Sequence, residues 1–315
     1  MSLPDHSQAR LDAIVLGAAA MDMLAWVDQL PEKDSIVPAK RAEMQPGGSG
    51  ANVAVALARL GFKTGFVARL SQDANGLILR HAFADAGVDI TACHITDDLP
   101  TALCFIAIDR AGDRSMVALG GAGPVESPDE LDLDYLSRAR LIYLTDVKPP
   151  IVHAVAGIAS AQGSYLVLSP GGLISARGLP YLAELLPKPD LWLLSRSEAL
   201  DLFPDSSPEA IPGMLCEHGA RNAVVTLGKQ GVACAGPEFS LLRPAFPVTN
   251  VVDTTGAGDG FAGGLMAGIL LGKPFAESLC YGIAVASITV GHTGARGGLP
   301  SMAQVEKLLA DHSGT

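Results

Sequence analysis

The sequence predicts an α/β protein: a mostly parallel central sheet flanked by helices, plus a small β-sheet set as a lid over one end. Three observations carry this. Short apolar runs alternate with helical stretches along most of the chain, the pattern of strand–helix–strand units. Apolar residues make up 49% of the 315 residues and charged ones 17%, which supplies a sizeable core and excludes disorder. Two segments, 23–46 and 98–120, break the rhythm with strand-like pieces and no good helix, and these supply the second sheet. No linker, repeat or low-complexity stretch divides the chain, so residues 1–315 read as one domain with those two segments as its sub-domain.

The elements follow in order. Residues 11–17 (LDAIVLG) are a continuous apolar run ending in glycine, as in a strand buried on both faces. Residues 49–60 read as a helix: Val53, Leu57 and Leu60 share a face, Ser49 serves as N-cap and Gly61 marks the stop. A strand over 64–70 and a helix over 73–86, closed by Gly87, come next. Residues 101–119 read as a hairpin: CFIAID, a turn at Arg110-Ala111-Gly112-Asp113, then RSMVAL. Strands are expected at 141–145, 165–168, 191–194 and 223–226, with helices near 150–161, 179–186 and 208–218. A strand-like stretch at 246–252 then runs into a long apolar helix over 256–271. The most apolar region, 261–291, is broken by Lys273, Pro274 and Glu277, which suits two buried helices better than a membrane span.

Charge and composition exclude several functions. With 22 basic and 33 acidic residues the net charge is −11, so no basic footprint favours nucleic acid or an acidic membrane surface. Five scattered cysteines without a CxxC pair read as free thiols in a reducing compartment, the cytoplasm. The seven histidines show no metal-ligand spacing. Asp5, Arg10 and Asp12 interrupt the apolar run a signal peptide needs. An acidic chain can still hold a phosphate, provided backbone amides do the holding.

The glycine-rich segment VVDTTGAGDGFAGG meets that condition. Gly256, Ala257 and Gly258 open the long helix, where N–H groups lack intrahelical partners and the helix dipole is positive. Small side chains admit an anion to the backbone. Asp259 falls in the first turn, where a carboxylate can take a proton from a hydroxyl while amides stabilise a transferring phosphoryl group. The competing reading is that Asp259 complements the dipole and the glycines permit tight packing. Gly258, Gly260 and Gly263 also fit a GxGxxG pattern. That pattern belongs in the turn after a first strand, not inside a late helix, which counts against a dinucleotide-dependent oxidoreductase. No GxxxxGK[ST] occurs. The second segment is Gly47-Gly48-Ser49-Gly50-Ala51-Asn52. Its glycines allow close backbone approach, and Asn52 offers a donor and an acceptor; an ordinary helix start is the alternative. It resembles a GxSxG elbow, but Ala51 holds the last position and no His/Asp partners are placed for it. Asp22 lies just beyond the first strand, where a carboxylate can accept from two sugar hydroxyls or stand as a solvated turn residue.

Together these segments resemble the PfkB family of sugar and nucleoside kinases, also called ribokinase-like. The match follows the family's order: Gly17-x4-Asp22, GGSGANVAVALARLG at 47–61, an AxLSxDxxG-like stretch (Ala68, Leu70, Asp73, Gly76), Pro100-Thr101, the GDR of the hairpin, TLGKQG at 226–231 and DTTGAGD at 253–259. The resemblance implies a ribokinase-like fold and ATP-dependent phosphorylation of a hydroxyl of a small sugar such as ribose, fructose or a related monosaccharide. It implies Asp259 as catalytic base and Gly256, Ala257 and Gly258 as anion hole. Asp22, Gly48 and Asn52 are implied to hold the sugar, and Thr226, Gly228, Asp253 and Ser195 to serve the nucleotide. Glu198 is implied to organise Mg²⁺ on ATP. Members close to ribokinase also use a monovalent cation (K⁺) near the segment matching Asp253, Thr255 and residues 291–298. The lid often pairs with a second subunit, which implies a homodimer.

Three departures stand out. Ser195 replaces the Asn of the family's NxxE motif while Glu198 remains, and Ser169 lies where sugar-kinase members often carry Asn. Ser49 replaces the lysine usual in ribokinase proper. A nucleoside kinase of the same family is the nearer alternative, although the lid offers Trp26 and Phe105 and no aromatic cluster to sandwich a purine. A catalytically silent ligand-binding protein on the same fold is the further one.

Overall fold

The computed structural model describes residues 11–312 except 111, 113 and 238. The turn residues Ala111 and Asp113, and the first ten residues on which the signal-peptide expectation rests, lie outside them. In chain order the strands begin with β1 (Leu11–Leu16), β2 (Ala20–Trp26), β3 (Arg41–Gly47), β4 (Thr64–Val67), β5 (Arg69–Ser71), β6 (His94–Thr96) and β7 (Leu103–Ile108). They continue with β8 (Arg114–Ala118), β9 (Ala139–Thr145), β10 (Tyr165–Ser169), β11 (Leu191–Ser195), β12 (Ala223–Thr226), β13 (Val232–Gly236) and β14 (Phe239–Arg243). The helices are α1 (Ser49–Arg59), α2 (Ala74–Ala86), α3 (Leu133–Leu136), α4 (Pro149–Gln162), α5 (Gly172–Ser175) and α6 (Leu179–Leu182). After them come α7 (Arg196–Leu202), α8 (Ile211–Glu217), α9 (Ala257–Leu270), α10 (Phe275–Thr289) and α11 (Met302–Asp311).

The central sheet has the order β14-β13-β12-β11-β10-β9-β1-β4. From β4 to β12 every pairing is parallel, and β13 and β14 close one edge antiparallel. Side chains alternate along each strand, so each strand feeds two cores. Ala13, Val15, Leu141 and Tyr143 join the core beneath α1, α9 and α10. Ile14, Leu16, Ile142 and Leu144 join the opposite core with Val155 of α4 and Leu215 of α8. Each large apolar side chain buried this way contributes about 1.5–3 kcal/mol. This is the predicted fold: a mostly parallel sheet covered on both faces by helices.

The second sheet runs β3-β2-β7-β8. It draws its strands from the two segments that broke the rhythm, and β7 and β8 form the expected hairpin in antiparallel register. Three expectations need correction, and one pair of strands lies outside them. The strand over 64–70 splits: Leu16 is the last β1 partner, of Val67, and Arg69 onward pairs with β6 instead. Residues 246–252 form no strand; Pro244 and Pro247 remove ladder donors there. Ser49 is the first helical residue and not the cap, because Gly48 holds that place with φ +90°. The edge pair β13–β14 was not expected at all.

Candidate active site

The carboxyl ends of the parallel strands open on one cleft, where ligands of open α/β sheets bind. Beyond β1 the chain enters β2, which carries Asp22, while β3 runs antiparallel beside it and delivers Gly47 and Gly48 to the start of α1. The Asp22 carboxylate lies over Gly47, where a Cβ would come within 2.0 Å of its oxygen. At Gly48 a Cβ would press to 2.6 Å from the Ala18 carbonyl oxygen, and its φ suits glycine alone.

Asn52, in the first turn of α1, is 4% exposed. Its Nδ2 donates to Asp259 Oδ2 at 2.8 Å. Arg296, from the loop after α10, donates from Nε to Asn52 Oδ1 at 2.8 Å and from Nη2 to the Gly47 carbonyl at 3.1 Å. Predicted residues from three distant segments thus meet in one cluster. Burial pushes the Asp22 carboxyl up to about 6, against the pull of Arg296. Burial pushes Asp259 up to about 7; Asp146 and Asp22 add to this, while Asn52 and Arg296 oppose it.

Asp259 sits in the first turn of α9, behind the cap Gly256, whose φ is +75°. A Cβ on Gly256 would meet the Ala295 carbonyl oxygen at 2.5 Å. The Ala257 N–H reaches the Thr254 carbonyl at a long 3.3 Å. The N–H groups of Gly256, Gly258 and Asp259 find no protein acceptor among the described residues. A Cβ on Gly258 would meet open space. The helix tip therefore presents free donors to a place an anion can enter. Tight packing is the role of glycines further along α9: a Cβ on Gly263 would meet Ala56 at 2.7 Å, and one on Gly268 would meet Ser278 at 2.6 Å.

Asp253 braces that tip. Its Oδ1 accepts from the Thr255 N–H at 2.8 Å and its Oδ2 from the Gly294 N–H at 2.9 Å. Burial works to raise its carboxyl, but these bonds hold it below the usual range. Arg114, on β8 of the second sheet, donates from Nη1 to Thr255 Oγ1 at 2.7 Å.

On the other side of the tip lies a cavity of about 500 Å³. Thr226, Gly228, Ala257 and Gly258 line it together with Phe246, Val251, Phe261 and Val290. Its size and mostly apolar wall with a few polar groups suit an organic ligand. Ser195 pairs in register with Thr226 across β11 and β12. Ser195 and Glu198 form a capping box at α7, with the Ser195 N–H donating to Glu198 Oε2 at 2.6 Å. Burial raises the Glu198 carboxyl, against the Ser195 bonds. Ser195, Glu198, Asp253 and Gly256 do not line the cavity.

Three residues at the cleft escaped the sequence reading of individual positions. Asp146 follows β9 with φ +57° and accepts from the hydroxyls of Ser49 and Thr145; burial raises its carboxyl. The rule that singled out Asp22, an acid just past a parallel strand, also describes Asp146. Arg114 enters the sequence reading only as the last residue of the hairpin's GDR, and Arg296 left no comparable signal, since it acts through distant partners. Ser169 ends β10, buried and in register with Thr145 of β9.

A carboxylate that exchanges a proton near neutrality stands beside vacant backbone donors, a pairing suited to moving an anionic group onto a hydroxyl. Fold and cleft together define the ribokinase-like class of kinases. The chain superposes on ribokinase of Arabidopsis thaliana, solved with ribose and ATP, with TM-score 0.84 and 28% identity over 95% of this chain and 98% of that one. Adenosine kinase from Sinorhizobium meliloti superposes with TM-score 0.84 at 25% identity, over 95% of this chain and 99% of that one. The ATP-dependent ribose-1-phosphate kinase of Halopiger xanaduensis is 30% identical over 280 residues, 89% of this chain and 92% of that protein. The pfkB family of carbohydrate kinases matches residues 10–302, and the chain belongs to that family. It is a sugar kinase by class.

Proposed function

We propose that the protein transfers the γ-phosphoryl group of ATP to a hydroxyl of a small monosaccharide such as ribose or fructose. Asp259 is the base that takes the hydroxyl proton, and the N–H groups at Gly256, Ala257 and Gly258 hold the charge on the transferring group. Asp22, Gly48 and Asn52 hold the sugar. Thr226 and Gly228 lie along the nucleotide, Asp253 braces the anion-binding turn, and Ser195 orients Glu198. The observation that carries the reading is the Asn52–Asp259 bond beside unsatisfied helix-tip donors. Asp22 and Asp259 both face Arg296, and Asp146 faces Asp259. That balance favours an acceptor rich in hydroxyl donors over one that brings its own phosphate.

Among the described residues no group of three or more acidic, histidine or cysteine side chains is arranged to hold a metal ion. A magnesium ion fits here as a partner of nucleotide phosphates, with Glu198 the nearby carboxylate. It would shield phosphate charge, and it ordinarily keeps several waters. Potassium activation belongs to the proposal through the 291–298 loop that Asp253 ties down; turnover in KCl against choline chloride tests it. Residues 23–46 and 98–120 act as the lid. Met44, Met23, Phe105 and Val117 make one apolar row across its strands, with Met44 43% and Val117 51% exposed. A homodimer through that row is part of the reading, as is a cytoplasmic location; no described helix is long and apolar enough to cross a membrane.

The deciding experiment measures ADP release from MgATP with monosaccharides, ribose 1-phosphate and nucleosides in turn. A monosaccharide should stimulate release well above the hydrolysis background. A response confined to nucleosides would make the protein a nucleoside kinase, a use the Sinorhizobium relative illustrates. No response to any acceptor would leave a silent binding protein.

A further inference from the structure

Arginine carries donors alone, and an ionised carboxylate carries acceptors alone. An asparagine amide placed between the two has one satisfactory orientation, with its oxygen toward the arginine and its nitrogen toward the acid. Asn52 stands in that position, bonded at 2.8 Å on each side. Arg296 is itself anchored. Its Nη2 donates to Gly47, its carbonyl accepts from Arg59 Nη1 at 2.6 Å, and its guanidinium carbon lies 5.8 Å from the Phe83 ring centroid.

We propose that Arg296 is a positioning residue for the phosphoryl-transfer base: its Nε–H fixes the Asn52 amide so that Nδ2 holds Asp259, and its charge offsets the acids around that carboxylate. The inference rests on the reading of Asp259 as the base. The groups facing Asp259 come from five places: Asn52 on α1, Asp22 on β2, the buried Tyr143 hydroxyl on β9, Asp146 after β9 and Arg296 after α10. Burial draws the Arg296 value down to about 10, so the side chain stays charged at neutral pH. Without it two acids face Asp259 with no compensating charge. The carboxyl then holds its proton over more of the neutral range, where a base must be free of it.

The test is a pH titration of aspartate labelled at Cγ with ¹³C, followed by NMR in the parent protein, Arg296→Gln and Arg296→Lys. Asp259→Asn identifies the resonance. No acceptor is needed, so the kinase reading and this one fail separately. In Arg296→Gln the Asp259 midpoint should rise by about one pH unit or more, and in Arg296→Lys it should stay within about half a unit of the parent. In steady-state assays with MgATP and the monosaccharide that ADP release selects, the acidic limb of kcat should move by the same amount at unchanged KM for ATP. A midpoint in Arg296→Gln equal to the parent's overturns the proposal, as does a Lys variant that shifts as far as the Gln variant. Should Arg296→Gln fail to fold by circular dichroism, Asn52→Ala decides. Breaking the relay there should raise the midpoint, and an unmoved midpoint sinks the inference.

Discussion

On the side of the α9 tip proposed for the acceptor the cleft is lined by side chains that hold one another, whereas on the side proposed for the nucleotide it is lined mostly by apolar surface and backbone. The acceptor side depends on long-range pairs: Asn52 and Asp259 are 207 residues apart, and Asn52 and Arg296 are 244 apart. The nucleotide side depends on helix-tip N–H groups and on the shape of a cavity walled by Phe246, Val251, Phe261 and Val290. It should tolerate changes of side-chain identity and resist changes of volume or charge. An acidic chain thereby gains an anion site without a cluster of basic residues.

The largest test of this contrast is Asp259→Asn. Turnover should fall roughly 10²–10⁴-fold, the usual contribution of a positioned base, while ATP binding by calorimetry stays near the parent's. The same variant carries a stability signature. The folded Asp259 value of about 7 lies above the ordinary 3.8, so the ionised carboxylate opposes folding. The protonated form supports the fold below about pH 4, and that support is lost as pH rises through about 7. Asp259→Asn should therefore exceed the parent's stability at pH 8 by up to roughly 4 kcal/mol, at about 1.4 kcal/mol per unit of the shift, and match it near pH 4, as read by urea unfolding.

Next in size is Gly258→Asp on the nucleotide side. The position has room for a side chain, so the fold should survive. A carboxylate there meets the incoming phosphate, and KM for ATP should rise roughly 10–100-fold, equivalent to about 1.4–2.8 kcal/mol of like-charge repulsion. An unchanged KM would detach the helix tip from phosphate binding. For the parent, kcat/KM should fall about tenfold per pH unit below about pH 7. A flat profile down to pH 5 would remove Asp259 as the limiting base.

The smallest effect is expected at Ser195→Asn, which restores the residue usual in the family. Asparagine caps helices about as well as serine, so stability should change by less than about 0.5 kcal/mol in thermal unfolding. The apparent magnesium requirement should shift by no more than about threefold if Glu198 does most of the organising. A larger shift would give Ser195 a direct part.

Legibility in the sequence followed the same division. The glycine-rich helix start and the acid after it were visible because small residues, a helix boundary and a carboxylate fall within a few positions of one another. Asp22 was visible because parallel strands point their carboxyl ends at ligands. Asp146 obeys the same rule and went unremarked, since the strand before it drew attention only as core. Arg296 could not be seen, because its meaning lies in partners on β3 and α1. The fold's rhythm came from buried runs such as LDAIVL, which have no other good use in water. The split after Val67 depends on where the neighbouring strand β1 stops, which local pattern does not encode. At 246–252 the apolar residues turned out to wall the cavity instead of extending a sheet, and a strand-like composition is blind to that difference.

The sheet that bears Asp22 also bears Arg114, whose guanidinium reaches Thr255 in the turn braced by Asp253. One sheet thus reaches the neighbourhoods proposed for both occupants. Whichever molecule arrives first and settles that sheet eases the entry of the other, and thermodynamic reciprocity requires the two gains in affinity to be equal. The signature is synergy: each dissociation constant, measured with the other compound or its unreactive mimic present, drops by the same factor.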